Sequence, residues 1–221
     1  HLAAYKLVDE SMKAPERYFF NNLGGMSTLL KVMQEEGVHQ IIYSSSAAVY
    51  GTQEAMPIRE NTPLRPESPY GLSKAQGEQL LEWMASSRRW SAVSLRYFNP
   101  VGAHPSGQIG QPLENAVALV PRALKALITP GASLTVFGSD YPTPDGTCMR
   151  DFIHVSDLAR AHRGDVGRGQ HGNLGCAHGG HVGGAEGAHR CGAQCGNRLG
   201  QQCGNLVRVH DRGLRRGQSG R

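Results

Sequence analysis

A chain of 221 residues, 39% of them hydrophobic, is long enough for one domain with a real core or for part of a larger one. It holds no apolar run of the roughly eighteen residues that a membrane helix needs and no signal-peptide pattern, so a soluble, cytoplasmic protein is expected. The formal net charge of +5 does not describe the whole chain: from Arg163 onward stand nine Arg, no Lys and three acids, a local +6 that leaves −1 for the first 162 residues. A nucleic-acid role resting on overall basicity is thereby excluded for the larger part.

The opening HLAAYKLVDES has no initiating Met and reads as the interior of something longer. Leu23, Met26, Leu30 and Met33 then recur at helical spacing, and Gly37 suits a helix C-cap. VHQIIYSS is a short apolar run rich in β-branched residues, the pattern of a buried strand. In SPYGLSKAQGEQLLEW, Pro69 suits a first helical position, where its missing N–H costs nothing. Tyr70 and Lys74 then lie four apart on one face, roughly 5–6 Å apart at Cβ. Leu72, Ala75, Leu80, Trp83 and Met84 are expected to turn an apolar face to the core. SAVSLRYF follows as a strand, ENAVALVPRALKALIT as a helix interrupted by Pro121, SLTVFG as a strand and VSDLARAH as a helix. This alternation predicts an α/β fold over residues 1–162, a partial doubly wound, Rossmann-like parallel sheet with helices on its faces. Ligands in such sheets bind beyond the carboxyl ends of the strands, so the chemistry belongs just after IIYSS and SLRYF.

Composition breaks after DLARAH. The segment 163–221 carries seventeen of the 29 Gly and four of the five Cys, and lacks Ile, Phe, Tyr, Trp, Met, Pro, Thr and Lys altogether. It has too little apolar surface to offset the entropy of ordering, and disorder is expected. Its Gly167, Gly169 and Gly172 match a dinucleotide-binding spacing but follow no strand and open no helix, so the match is chance. Cys176, His178, His181, Cys191, Cys195 and Cys203 fit no regular two-plus-two zinc spacing, and no metal site is expected. A disulfide framework is equally unexpected in a cytoplasmic protein. An Arg/Gly tail can contact nucleic-acid phosphates, but this one lacks aromatics for base stacking. Loss of most apolar residue types with enrichment of Gly, Arg, His and Cys is what a GC-rich gene gives when read out of frame, and a frameshift near codon 163 is the favoured reading.

Within 1–162 two strand ends hold the candidate chemistry. At the first, Ser44, Ser45 and Ser46 cannot all face one way, because strand side chains alternate, and small residues there also serve close packing. At the second, Pro100 disfavours helix at Asn99, so the chain presents Phe98 and Asn99 at the crevice, although Asn99 also suits a plain turn. Together, a hydroxyl, a Tyr–Lys pair and an amide converge on one crevice. A phenol, with a pKa of about 10, is a poor base at neutral pH. A nearby ammonium and a cationic nicotinamide ring would each favour its anion. That makes a general acid/base for removing a proton from an alcohol, the partner of hydride transfer to an oxidised nicotinamide.

SSSAAVYG, SPYGLSK, LRYFNPVGAHPSG and VFGSDYPTPDGTCMRDFIHVSDLA resemble the extended short-chain dehydrogenase/reductase family, and within it the UDP-glucose 4-epimerases, over residues 1–162. The resemblance implies that Tyr70 takes the proton of the sugar's 4-hydroxyl as hydride passes to tightly bound NAD. It implies that Lys74 binds the nicotinamide ribose and lowers the Tyr70 pKa, and that Ser46 bonds the 4-oxygen. Lys6, Asn21 and Phe98 fall at further NAD-contacting positions. Asn99, Phe137 and Arg150 fall at positions that hold the nucleotide-sugar, UDP-glucose or UDP-galactose, with Arg150 suited to the diphosphate. The helix within ERYFFNNLGGMSTLLKVMQEE resembles one that pairs in family homodimers.

Departures from the family pattern are specific. Ala118 stands where an Asn usually contacts substrate; Asn115 lies nearby but does not inherit that role. AAVYG replaces the family's ATVYG, a small change. The family's Gly-rich phosphate turn aligns upstream of His1, so this polypeptide is expected to bind NAD poorly and to be an inactive fragment. Related readings are a nucleotide-sugar dehydratase, whose usual acid is missing from SSSAAVYG, and an epimerase for UDP-xylose or an N-acetylated sugar. The reading from another class is a non-catalytic remnant with a basic, nucleic-acid-binding tail.

Overall fold

The computed structural model describes residues 1–87, 90–114, 116–136, 138 and 140–163, and the backbone of 206–210. Phe137 and the cysteines and histidines of 176–203 lie outside the described residues. The chain divides into two units: His1–Phe98 with the segment from Gly164 onward, and Asn99–Arg163.

The first unit opens with α1 (Val8–Lys13) and α2 (Pro15–Tyr18), the latter with Pro15 at its start. A π-helical stretch, Phe19–Gly24, leads without a break in helical dihedrals into α3 (Gly25–Glu35). α3 buries Met26, Leu30 and Met33, the face its sequence predicts. Gly37, at φ +67°, occupies the left-handed position after the helix that a Cβ would disfavour. β1 (Gln40–Ser44) pairs in parallel with β2 (Ser91–Arg96), in a register that sets Gln40 beside Ser91 and Ser44 beside Leu95. Between them runs α4 (Pro69–Ser87), the crossover that parallel pairing requires. Met26, Leu30, Met33, Ile41, Tyr43, Leu81, Trp90 and Ala92 form one core between helices and sheet. Burying each of the larger side chains contributes about 1.5–3 kcal/mol.

β5 (Leu206–His210), in the segment 163–221, pairs antiparallel to β2. The run LVRVH has strand-forming alternation, which is why it can add to an edge. An expectation needs correction at α4. Its buried residues are Tyr70, Gly71, Ser73, Lys74, Ala75, Gly77, Glu78, Leu81 and Ala85, whereas Trp83 is 74% exposed and Leu72 and Leu80 lie on the outside. The helix packs a small and polar face inward. Gly71 and Gly77 explain how: a Cβ on Gly71 would stand 2.6 Å from the Ala48 carbonyl oxygen, and one on Gly77 2.5 Å from the Tyr43 hydroxyl. The helix is drawn in too close for larger side chains along that stripe.

The second unit pairs β3 (Asn99–Val101) in parallel with β4 (Phe152–His154). α5 (Leu119–Ile128) begins at the middle of ENAVALVPRALKALIT, with Ala118 extended before it. Pro121 thereby falls in the first turn, where it breaks no hydrogen bond. α6 (Val155–His162) is capped by His154, whose Nδ1 accepts from the Ser156 N–H at 3.2 Å. Gly102, at φ +99°, leaves space for the His154 ring, which would come within 2.4 Å of a Cβ. The strand expected at SLTVFG is not formed: residues 132–136 and 138 are irregular and Val136 is 73% exposed. β-branched residues favour a strand only beside a ladder partner, and none of the described residues supplies one here.

Candidate active site

Ser44, Ser45 and Ser46 at the end of β1 each meet a different turn of α4. Lys74 Nζ donates to the Ser44 carbonyl oxygen at 2.8 Å. The Ser45 hydroxyl donates to Glu78. Ser46 acts on the Tyr70 phenol so as to favour its anion, and its Oγ accepts from the Ala48 N–H at 3.2 Å, capping the short 3-10 turn Ala47–Val49. Tyr70, Lys74 and Glu78 are i, i+4 and i+8 on one helix face, so successive helix turns match successive strand-end residues. The alternation that forbids three side chains from facing one way is respected, because Ser44 acts through its backbone.

Around the pair the protein is dry. Tyr70 is 9% and Lys74 4% exposed. Burial lowers the Lys74 ammonium from its ordinary 10.5 to about 8. Burial also raises the Tyr70 phenol above its ordinary value, against the hydrogen bond from Ser46, which favours the anion. The expected lowering of Tyr70 by Lys74 is therefore not what this structure holds. Lys74 Nζ stands 6.0 Å from the centre of the Tyr70 ring and 4.9 Å from that of Tyr43, and its hydrogen bond goes to Ser44. Tyr18 completes the wall, edge-on to Tyr70 with ring centres 6.4 Å apart.

The other expected cofactor positions also lie in this first unit. Lys6 is exposed, in the segment before α1, and Asn21 is exposed in the π-helical stretch, donating to Asn22 Oδ1 at 3.0 Å. Phe98 packs, half-buried, against Val49, Tyr50 and Ala75. In the second unit Asn99 Nδ2 donates to the Asp151 carbonyl oxygen at 2.7 Å, and Arg150 is exposed, donating to its neighbour Met149. Three groups escaped the reading of the sequence. Asn22 is buried, with both backbone groups of Tyr5 on its amide at 2.9 and 3.1 Å, and donates to Ser73 Oγ at 3.1 Å. It ties the Lys6 segment to α4, and the doubled Asn was its only signal. Glu78 and Arg96 form a buried ion pair. A charge inside the apolar run SAVSLRYF is a signal for such a pair, since Arg is almost never fully buried alone. Among the described residues no group of three His, Cys, Asp or Glu is placed to hold a metal ion, and no helix is long and apolar enough to cross a membrane.

Parallel strands joined through a crossover helix, with a Ser–Tyr–Lys constellation at a strand's carboxyl end, define a Rossmann-like α/β protein of the short-chain dehydrogenase/reductase kind. The NAD dependent epimerase/dehydratase family matches residues 1–168, and the chain belongs to that family. Its relatives include a UDP-glucose 4-epimerase of Streptococcus mutans, 48% identical over 162 residues that make up 73% of this chain and 49% of the relative. The UDP-glucose 4-epimerase of Bacillus subtilis is 46% identical over 165 residues, 73% of this chain and 48% of the relative. Among solved structures, the UDP-glucose 4-epimerase of Bifidobacterium longum in complex with NAD+ and UDP superposes with a TM-score of 0.70 at 45% identity, covering 76% of this chain and 51% of that one. The chain thus spans about half the length of the relatives it matches.

Proposed function

We propose that this chain carries the acid/base half of a UDP-glucose 4-epimerase, which interconverts UDP-glucose and UDP-galactose through transient oxidation at C4 of the sugar. One observation carries the reading: Ser46 acts on the Tyr70 phenol so as to favour its anion, beside a buried Lys74 whose ammonium, among the described residues, makes a single hydrogen bond, to Ser44. A buried cation with two N–H bonds to offer fits the hydroxyls of a ribose, so these residues suit NAD. Lys74, with Lys6, Asn21 and Phe98, would hold that cofactor. NAD when bound accepts and returns the hydride of the sugar's C4. Tyr70 removes the proton from the 4-hydroxyl and gives it back, while Ser46 holds the 4-oxygen within reach of the phenol. Asn99, Phe137 and Arg150 are assigned to the nucleotide-sugar, Arg150 through its guanidinium on the diphosphate.

The 45–48% identity to epimerases over the segment that carries the site supports this reading. A cytoplasmic setting and a homodimer belong to the same proposal, and the 86% exposure of Phe20 and 74% of Trp83 support pairing through the helices that bear them. The test is a chimera in which residues 1–162 replace the matching segment of the Streptococcus mutans relative. Conversion of UDP-galactose to UDP-glucose is expected, and Tyr70→Phe is expected to lower it at least a thousandfold. A folded, NAD-loaded chimera that leaves both sugars unchanged would falsify the proposal.

A further inference from the structure

Arg96 and Glu78 are 0% and 2% exposed, and nothing in the acid/base chemistry above uses them. Arg96 Nε donates to both carboxylate oxygens of Glu78, at 2.9 and 3.0 Å, and a terminal nitrogen donates to the same group. The other guanidinium nitrogen donates to the Tyr50 hydroxyl at 2.6 Å and to the Glu60 carbonyl oxygen at 3.1 Å. Replacing a buried pair of this kind by apolar residues is often neutral or stabilising, so its presence is not explained by stability. Its remaining partner is informative. The Ser45 hydroxyl donates to Glu78 and sits one residue before Ser46, which holds Tyr70.

We infer that Ser45, Glu78 and Arg96 are positioning residues, a buried brace that sets the Ser46 hydroxyl on the Tyr70 phenol. Arg96 on β2 fixes the Glu78 carboxylate on α4, Glu78 fixes Ser45, and the Ser45–Ser46 peptide is thereby oriented. The strand end and the helix are joined at Glu78 and at Lys74, one turn apart, so the turn that carries Tyr70 cannot slide relative to Ser46. This rests on the reading of Tyr70 as the acid/base group, but its test needs neither cofactor nor sugar.

The test is the titration of Tyr70 in the full chain, followed by NMR of ¹³Cζ-labelled tyrosine, with the Tyr70 signal assigned through Tyr70→Phe. The groups facing Tyr70 are Ser46, Tyr97, the Tyr18 ring and, on its own helix, Lys74. Ser45→Ala leaves all of them in place and keeps the Glu78 charge, so a change reports geometry and not charge. Loss of the brace is expected to raise the Tyr70 midpoint enough to cut its phenolate fraction at least threefold at a given pH. Ser45→Thr, which keeps the hydroxyl, is expected to return the midpoint to that of the parent. A midpoint in Ser45→Ala that stays put or moves down, with cooperative unfolding retained, overturns the inference. A threonine variant that fails to restore it does the same. Because no turnover is measured, these results stand whether or not the chimera above is active.

Discussion

Lys74 gives a hydrogen bond to the Ser44 carbonyl at 2.8 Å while its nitrogen lies 6.0 Å from the centre of the Tyr70 ring. The lysine is thus held by the strand end and not by the tyrosine four residues before it. Burial governs both groups: the phenol is raised and the ammonium lowered. The two protonation equilibria, close together in water, are drawn apart, and the raised phenol and the lowered amine both favour their neutral forms.

This has a consequence for stability against pH. Lys74 titrates at about 8 in the folded chain and at its ordinary 10.5 when unfolded. Below pH 8 both states are charged and the full cost of burying the ammonium is present. Between about pH 8 and 10.4 the unfolded chain binds a proton that the folded chain does not, so stability rises, by up to about 1.4 kcal/mol per pH unit. Above pH 10 the raised phenols of Tyr18, Tyr43 and Tyr70 reverse the trend, because the folded chain then keeps protons that the unfolded chain loses. Urea unfolding across this range should show a maximum between those limits. Lys74→Met should abolish the rise while leaving the fall.

The Glu78–Arg96 pair predicts a non-additive pair of mutations. Glu78→Gln leaves the guanidinium buried without a counter-charge and is expected to cost about 3–5 kcal/mol. Combining it with Arg96→Met removes both charges and should recover most of that loss. A double-mutant cycle by denaturant unfolding measures the coupling, and an additive result would remove the pair from the account of α4.

Glycine replacement in α4 should run against the usual trend. Ala in place of Gly inside a helix ordinarily stabilises by about 0.5–1 kcal/mol. At Gly71 the new Cβ meets a carbonyl oxygen at 2.6 Å, and backbone cannot swing away as a side chain can. Gly71→Ala is expected to destabilise by about 1–3 kcal/mol, the range for overpacking. At Gly77 the obstacle is the Tyr43 hydroxyl at 2.5 Å, so Gly77→Ala should also destabilise, and adding Tyr43→Phe should relieve part of it. Thermal unfolding of the three variants checks both statements.

Exposed Phe20 and Trp83 yield a prediction about assembly. Phe20→Ser and Trp83→Ser should leave folding stability within about 0.5 kcal/mol, because neither side chain is buried in the chain itself. If pairing runs through these helices, the same variants should shift the molecule toward a monomer in light scattering. Unchanged mass in both would place the homodimer contact elsewhere or remove it.

Part of this protein was legible in its residues taken in order. Local periodicity marked α3 through Met26, Leu30 and Met33, and β1 and β2 through their apolar runs, because those elements bury an ordinary apolar face. Helix spacing paired Tyr70 with Lys74, since a helix puts i and i+4 together in any setting, whereas Ser46 was singled out by the family resemblance. The same reasoning failed at α4, where Leu72, Leu80 and Trp83 face out, because it cannot know that Gly71 and Gly77 admit a polar helix face to within contact of Ala48 and Tyr43. It failed at SLTVFG because a strand is decided by its neighbour and not by its own residues. What only the tertiary structure decided is which groups meet: Ser44 with Lys74, Ser45 with Glu78 and Glu78 with Arg96. Those contacts join residues 18 to 33 positions apart, and the protonation of Tyr70 and Lys74 follows from the burial they create. Sequence spacing sets a geometry only within one element, and burial, which governs the chemistry here, is a property of several elements packed together.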